Sequence, residues 1–114
     1  MKRRNPEPVL LGSLEEQVML AVIRTANEAY GMNVRRELES VTGRDITIGS
    51  VYATLDRLEA KGFVASERTS GPDAVSRRIF AITELGAQSL ELTRDTRQRL
   101  WAGVRLRSFN GSRS

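Results

Sequence analysis

The hydrophobic pattern of this chain changes at Gly62 from a helical to a β-type spacing. Before Gly62, apolar residues recur every three or four positions in successive segments, which predicts three short helices. After it, the segments FVASERT and SRRIFAIT flank the turn-rich stretch SGPDAV, which predicts a two-stranded β-hairpin with a loop longer than two residues. The expected fold class is therefore mainly α with a β-hairpin, and 114 residues suffice for one domain of this kind.

Capping residues mark the ends of the first two predicted helices. Ser13 is predicted to cap the first helix, with Glu16 three positions later completing a capping box, and the helix should run to about Ala26. The second helix carries Val41 on its apolar stripe. It should end at Gly43, because glycine readily adopts the left-handed conformation that closes a helix.

The third and fourth predicted helices lie on either side of the hairpin. Thr47 is the expected N-cap of the third helix, which ends at Gly62, and Thr83 caps a fourth helix that continues to about Val104. The chain thus divides into a flexible lead-in (residues 1–11), a winged helix-turn-helix domain (12–82), a C-terminal helix (83–105) and a disordered tail (106–114).

One side of the third helix carries only small or hydrogen-bonding side chains. Val51, Leu55 and Leu58 share the core side, whereas Gly49 and Ala53 lie opposite them. Small residues let a helix backbone approach a DNA groove closely, and the polar groups beside them can reach bases and phosphates. A basic hairpin would hold the adjacent DNA backbone, as in a winged helix-turn-helix. The residues predicted to contact DNA are Thr47, Gly49, Ser50, Tyr52, Ala53, Thr54, Arg57 and Lys61 around the third helix, and Arg68, Arg77 and Arg78 in the hairpin.

The same residues would also suit two kinds of surface that do not meet DNA. They could form a helix face that contacts only solvent, or they could dock an acidic protein partner. The order of the elements and the basic hairpin favour double-stranded DNA over both. The net charge of +4 and the sixteen arginines against two lysines agree with a nucleic-acid partner, since arginine contacts phosphate and guanine through two hydrogen bonds. A GC-rich genome produces the same excess of arginine.

Composition excludes several kinds of function. The chain contains no histidine and no cysteine, which rules out imidazole bases, thiolate nucleophiles and the usual zinc sites. Glu15 and Glu16 are the only adjacent carboxylates, and neighbouring helical residues point about 100° apart, so the two do not converge on one substrate. We expect no enzyme activity, no cofactor and no metal. No apolar run approaches the ~18 residues that span a bilayer, so we expect a cytoplasmic protein that does not contact membranes.

The fourth predicted helix has apolar residues on two sides. One stripe consists of Leu85, Leu92 and Leu100, and the other of Leu90, Trp101 and Val104. Two stripes require two partners, the helix's own domain and a second copy of the chain, which predicts a twofold homodimer with recognition helices ~34 Å apart. The pattern does not decide which stripe faces the partner. We assign Leu90, Arg97, Trp101 and Val104 to the dimer interface.

Four blocks of the sequence resemble the PadR family of bacterial transcriptional regulators. They are LGSLEEQVMLAVI, AYGMNVRREL, GSVYATLDRLEAKGFV and RRIFAITELG, and the resemblance covers residues 11–90. It implies a winged-helix repressor that dimerises through its C-terminal helix, binds a roughly palindromic operator and is released by a small molecule or another signal. By position, the recognition helix falls on residues 48–61, the wing on 69–78 and the dimerisation helix on residues from 83 onward. The length of the chain resembles the compact group, which has a single C-terminal helix.

Trp101 has two interpretations. Compact PadR-type regulators that recognise planar drugs carry an aromatic residue of the C-terminal helix in the dimer cleft. This resemblance implies that Trp101 lines a pocket for a small planar aromatic effector. Tryptophan is also common in protein interfaces, so an interface anchor without a ligand accounts for it as well.

Overall fold

The computed structural model describes residues 7–69 and 77–107 as four helices and one hairpin. In chain order they are α1 (Ser13–Thr25), a 3-10 turn (Ala26–Glu28), α2 (Gly31–Thr42), α3 (Ile48–Ala60), β1 (Val64–Thr69), β2 (Arg77–Ile82) and α4 (Glu84–Trp101). The predicted fold class, mainly α with an antiparallel two-stranded hairpin, is confirmed. Most of the predicted lead-in, the hairpin turn and most of the predicted tail fall on residues 1–6, 70–76 and 108–114, which lie outside the described residues.

Helices α1, α2 and α3 and the base of the hairpin enclose one apolar core. Val51 and Leu55 of α3 are fully buried, as expected, and Phe63 and Phe80 of the hairpin region complete the core. Val41, which its spacing assigned to the apolar stripe of α2, is instead 60% exposed. The burial of α2 therefore ends before its last turn.

The N-cap of α1 differs from the prediction by one residue. The helix begins at Ser13, so Gly12 is the capping residue, and its N–H donates to Glu15 Oε1 at 3.2 Å. Glu16 is buried instead and accepts two hydrogen bonds from Arg97 of α4, one of them 3.0 Å long. Glu15 therefore completes the capping box in place of Glu16, and Glu16 contacts α4.

Helix α3 has the predicted ends. Thr47 Oγ1 accepts a hydrogen bond from the N–H of Ser50 at 3.0 Å, which caps the first turn. Gly62 has a φ of +83°, the left-handed conformation that glycine adopts without strain. The N–H of Phe63 then donates to Leu58 O at 2.9 Å, which turns the chain back toward the core.

Main-chain hydrogen bonds fix the hairpin beside α3. Its register pairs Val64 with Ile82 and continues to the pair of Thr69 and Arg77. The N–H of Phe80 donates to Ala29 O at 3.0 Å, outside the hairpin itself. Strand β2 is therefore hydrogen-bonded directly to the segment that precedes α2.

Helix α4 begins in direct contact with the end of α3. Thr83 caps α4, and its hydroxyl donates to Gly62 O at 2.6 Å. A Cβ at Gly86 would lie 2.1 Å from the carbonyl oxygen of Phe63, so only glycine permits this approach. The first turn of α4 thus rests on main-chain atoms.

The buried face of α4 carries hydroxyl groups that hold the N-terminal segment. Ser89 and Thr93 are buried, and they accept hydrogen bonds from the N–H groups of Val9 (3.1 Å) and Leu11 (3.0 Å). The end of the predicted flexible lead-in is therefore attached to α4.

Two residues assigned to the dimer interface contact the chain's own domain. Leu90 packs against the core, and Arg97 pairs with the buried Glu16 of α1. The buried positions of α4 are Gly86, Ser89 and Thr93, so an assignment that relied on leucine stripes missed this face. The other two assigned residues, Trp101 and Val104, are 53% and 47% exposed and lie close in sequence to the exposed Leu100, at the C-terminal end of α4.

Candidate nucleic-acid interface

The outer face of α3 is open to solvent. Gly49, Ala53 and Ala60 are exposed and lie along one side of the helix. The nearest atom to a Cβ built at Gly49 is Thr47 Oγ1 at 4.0 Å, so no other part of the described chain covers the start of this face. A groove of DNA could therefore approach the backbone of α3 here.

Two hydroxyl groups lie at the N-terminal end of this face. Thr47 Oγ1 donates to Ser50 Oγ at 2.9 Å, and both side chains are exposed. Because a hydroxyl donates one hydrogen bond and accepts two, Ser50 keeps its own proton for an outside acceptor. A phosphate oxygen or a base acceptor fits this position.

Thr54, which was predicted to contact DNA, is 1% exposed and cannot do so. It lies three positions after Val51 and four before Leu58, both core residues, so the helix turns it inward. Its Oγ1 accepts a hydrogen bond from Arg57 Nη2 at 3.2 Å. Thr54 therefore orients Arg57, whose side chain is exposed at the edge of the open face.

Lys61, at the C-terminal end of α3, is paired with the start of α1. Its Nζ donates to Glu15 Oε2 at 2.7 Å. This hydrogen bond lowers the pKa of Glu15 below its ordinary value, against the opposing effect of partial burial. The ammonium group of Lys61 is thus already engaged by a carboxylate in the free protein.

Arg77 and Arg68 are exposed on the two strands of the hairpin. The guanidinium of Arg77 lies 4.9 Å from the centroid of the Tyr30 ring, a cation–π distance. Arg68 occupies the register position opposite Arg78. The structure therefore brings two of the three predicted wing arginines to the surface.

Arg78, the third predicted wing arginine, is partly buried and paired with two carboxylates, which the sequence did not indicate. Its Nη1 lies 3.1 Å from Asp56 Oδ1 and its Nη2 lies 2.7 Å from Glu59 Oε1. The guanidinium also lies over the ring of Phe80, 4.8 Å from the centroid. Partial burial lowers the pKa of Arg78, but the two acids outweigh this effect and raise it. Arg78 therefore links β2 to α3.

A cleft of about 450 Å³ separates the hairpin from α2 and α3. Arginine, tyrosine, asparagine and methionine side chains line it, contributed by Tyr30, Met32, Asn33, Arg36, Tyr52, Arg68, Arg77 and Arg78. The ring of Tyr52 reaches it across Gly31, where a Cβ would lie 2.4 Å from Tyr52 Cζ. Guanidinium and phenol groups in this arrangement suit a phosphate group.

Sequence reasoning missed the contribution of α2 to this cleft. Asn33 and Arg36 lie three positions apart, on a side of α2 away from the buried Val34 and Leu38. The available signal was Arg36 in the second turn of the helix, together with Tyr30 immediately before the helix begins. It was outweighed by the more regular pattern of α3.

Two kinds of site are absent from the part of the chain that the structure describes. Residues 7–69 and 77–107 contain no group of acidic side chains arranged to hold a metal ion. Over the same ranges no helix combines the length and the apolar character that crossing a membrane requires.

Comparison with known proteins identifies the family and the fold. A family model described as the transcriptional regulator PadR-like family matches residues 19–92. A search of curated proteins found no match.

Solved structures of similar fold include PadR-like proteins from several bacteria. A PadR-like transcription factor from Bacteroides fragilis is 22% identical, with 76% of this chain and 82% of that chain covered and a TM-score of 0.68. A PadR-family regulator from Eggerthella lenta is 27% identical, with 79% and 82% covered and a TM-score of 0.62. Bacillus subtilis PadR in complex with operator DNA is 19% identical, with 68% and 46% covered and a TM-score of 0.58.

Proposed function

The chain belongs to the transcriptional regulator PadR-like family, and from this premise we propose that it is a repressor that binds a pseudo-palindromic operator as a homodimer. Such a repressor acts by occupying the operator, with no catalytic step. The Bacillus subtilis protein of similar fold was solved in complex with operator DNA, which supports double-stranded DNA as the partner.

The open face of α3 is the observation that carries this proposal. Gly49 and Ala53 keep the face flat, and Ser50 and Arg57 provide polar groups at its edge. Helix α3 would enter the major groove with its N-terminal end toward the bases. Ser50 and Arg57 would then contact base edges or the adjacent phosphates.

The cleft beside the hairpin would hold the DNA backbone. Arg36, Arg77 and Tyr52 line it from three elements, and none of these side chains forms part of the core. Tyr52 packs against the core from outside, which keeps its hydroxyl fixed near the start of α2. Contacts of this kind position the protein without reading sequence.

The homodimer is proposed from two exposed apolar surfaces. One is the C-terminal end of α4 with Leu100 and Trp101, which are 73% and 53% exposed. The other is the side of α1 with Leu20 and Ile23, which are 43% and 50% exposed and lie on the same helix as Glu16, the partner of α4. A second copy related by a twofold axis would cover both and place two α3 helices on successive turns of DNA.

Release by a small planar aromatic effector is the part of the proposal that depends on Trp101. Its indole is exposed next to Val104, so in a dimer it either anchors the interface or lines a cleft. Quenching of its fluorescence by planar aromatic compounds, together with calorimetric binding of the same compounds that is lost in a Trp101→Phe protein, would support an effector site. Absence of quenching by such compounds would leave the indole as an anchor.

The salt dependence of DNA binding tests the proposal as a whole. Duplexes selected from random sequence by the purified protein should bind with a logarithmic salt slope of about −0.9 per phosphate contact. A flat salt response with no preferred sequence would contradict the proposal and favour the docking of an acidic protein.

Two arginine variants test which arginine contacts bases and which contacts phosphates. Arg77→Ala should weaken selected and random duplexes alike and reduce the slope by about 1, because a phosphate contact is lost. Arg57→Ala should weaken the selected duplex more than random DNA. Arg24→Ala removes an exposed arginine that is paired with Glu37 and does not line the cleft, and it is the matched control once sedimentation shows that it keeps the oligomeric state of the wild type. Equal losses in all three variants would refute these roles.

A further inference from the structure

Asp56 stands on the open face of α3, where an acid is unexpected. In α3, which the structure describes throughout, Gly49, Ala53, Asp56 and Ala60 follow one side of the helix, and Asp56 is the charged member. Its side chain is 58% exposed. A carboxylate here faces whatever DNA the small residues around it admit.

Contacts from the hairpin hold this carboxylate in place. Arg78 Nη1 lies 3.1 Å from Asp56 Oδ1, while the same guanidinium is fixed by Glu59 and by the ring of Phe80. Glu59 is fixed in turn, because its Oε2 accepts a hydrogen bond from the Ser66 hydroxyl at 2.7 Å. Asp56 is thus oriented by a rigid network.

The chemistry of a carboxylate limits what Asp56 can meet on DNA. An ionised carboxylate only accepts hydrogen bonds, so phosphates and the acceptor groups of guanine and thymine repel it. Amino groups of cytosine and adenine are the donors in the major groove, and the amino group of adenine stands beside the acceptor N7. Cytosine is therefore the base that a carboxylate fits best.

We infer that Asp56 is a specificity-determining residue that accepts a hydrogen bond from the N4 amino group of a cytosine in each half of the operator. Arg78 is the positioning residue that aims this carboxylate. The inference rests on the proposed function, since it requires the open face of α3 to lie in a major groove. It also accounts for the burial of Arg78, which holds Asp56 instead of a phosphate.

The test measures base preference position by position. Each base pair of a selected half-site is changed in turn, and dissociation constants are measured for the wild type, Asp56→Ala and Asp56→Asn. At one position the wild type should lose about 10-fold or more in affinity when cytosine is replaced by thymine or by uracil, since both lack the amino group. Asp56→Ala should accept every base there and keep its preferences elsewhere. Asp56→Asn should shift the preference toward adenine, with which asparagine forms two hydrogen bonds.

Three controls make the result specific. Glu67→Gln removes one exposed acid from β1 and should leave all preferences unchanged. Arg78→Gln should reduce discrimination at the Asp56 position alone, and Arg78→Lys should restore part of it. Thermal unfolding confirms that each variant is folded.

Two outcomes would overturn the inference and differ from a failure of the proposed function. Asp56→Ala could tighten binding to selected and random duplexes alike, which would make Asp56 a repulsive charge and nothing more. All variants could also share the base preferences of the wild type. If the wild type itself binds no duplex selectively, the proposed function fails, and the role of Asp56 fails with it.

Discussion

At the scale of single residues, substitution of Gly49 should change the stability of the fold and the affinity for DNA in opposite directions. Apart from its chain neighbours and the backbone of its own helix, a methyl group there meets no described atom closer than 4.0 Å, and alanine favours a helix over glycine by about 0.5–1 kcal/mol. Gly49→Ala should therefore raise the free energy of unfolding slightly. It should also weaken operator binding about 10-fold, because the methyl group keeps the backbone away from the groove.

Denaturant titration and DNA titration of the same Gly49→Ala preparation measure the two effects. Ser40→Ala, at an exposed position of α2, is the control that should gain stability without losing affinity. Operator affinity equal to that of the wild type would show that Gly49 does not face DNA.

The carboxyl group of Glu15 should make stability depend on pH. Its pKa is lowered in the folded protein, chiefly by the hydrogen bond from Lys61. A group with a lowered folded pKa stabilises the protein above its unfolded pKa of about 4.3, and this contribution is lost as pH falls through that value toward the folded pKa. Melting temperatures measured from pH 7 to 3 should fall less steeply for Glu15→Gln and for Lys61→Ala than for the wild type. Equal steepness in all three proteins would contradict the assignment.

The residues that sequence reasoning misplaced are those whose environment depends on a shift of one position or on a distant partner. Glu15 and Glu16 exchange roles because α1 is capped by Gly12, and glycine has no side chain that would have signalled it. Thr54 resembles its polar neighbours in type but lies between two core residues. Arg78 was an exposed cation by sequence and becomes half-buried because Asp56 and Glu59 approach it from another element.

At the scale of elements, the docking of α4 depends on Gly86. A Cβ there would lie 2.1 Å from a main-chain oxygen, which cannot move without displacing the end of α3. Gly86→Ala should therefore lower the free energy of unfolding by about 1–3 kcal/mol, despite the higher helix propensity of alanine. Urea titration measures the loss, and Gln88→Ala at an exposed position of the same helix is the control. A variant as stable as the wild type would mean that α4 can dock elsewhere.

Elements with local signals were predicted accurately, and the orientation of α4 was not. The ends of α3 follow from Thr47 and Gly62, both of which act on their own turn of the helix. The packing of α4 depends on hydroxyl groups that bind Val9 and Leu11, about 80 positions away in the chain, and no short pattern contains that information. The hairpin arginines were located by sequence, whereas the cleft they share with α2 required the fold.

At the scale of the whole molecule, substitutions of two leucines in α4 should affect folding and dimerisation separately. Leu90 packs against the core, whereas Leu100 is 73% exposed. Leu90→Arg should lower the free energy of unfolding by about 2 kcal/mol or more. Leu100→Arg should leave the fold intact, since exposed substitutions usually change stability by less than about 0.5 kcal/mol, and should convert a dimer to monomers. Sedimentation equilibrium combined with urea titration distinguishes them, and a monomeric wild type would refute the proposed dimer.

The junction of α3, the hairpin and α4 has a consequence for the proposed dimer. The Thr83 hydroxyl donates a hydrogen bond to Gly62 O at 2.6 Å, and the Thr83 N–H donates one to Phe63 O at 3.1 Å. The start of α4 is therefore bonded directly to the segment that ends α3. Because these hydrogen bonds join the end of α3 directly to the start of α4, we expect the two helices to move as one unit. In a dimer joined through α4, a small change in the angle between the two α4 helices would displace both α3 helices. Their separation would then no longer match the distance between successive major grooves.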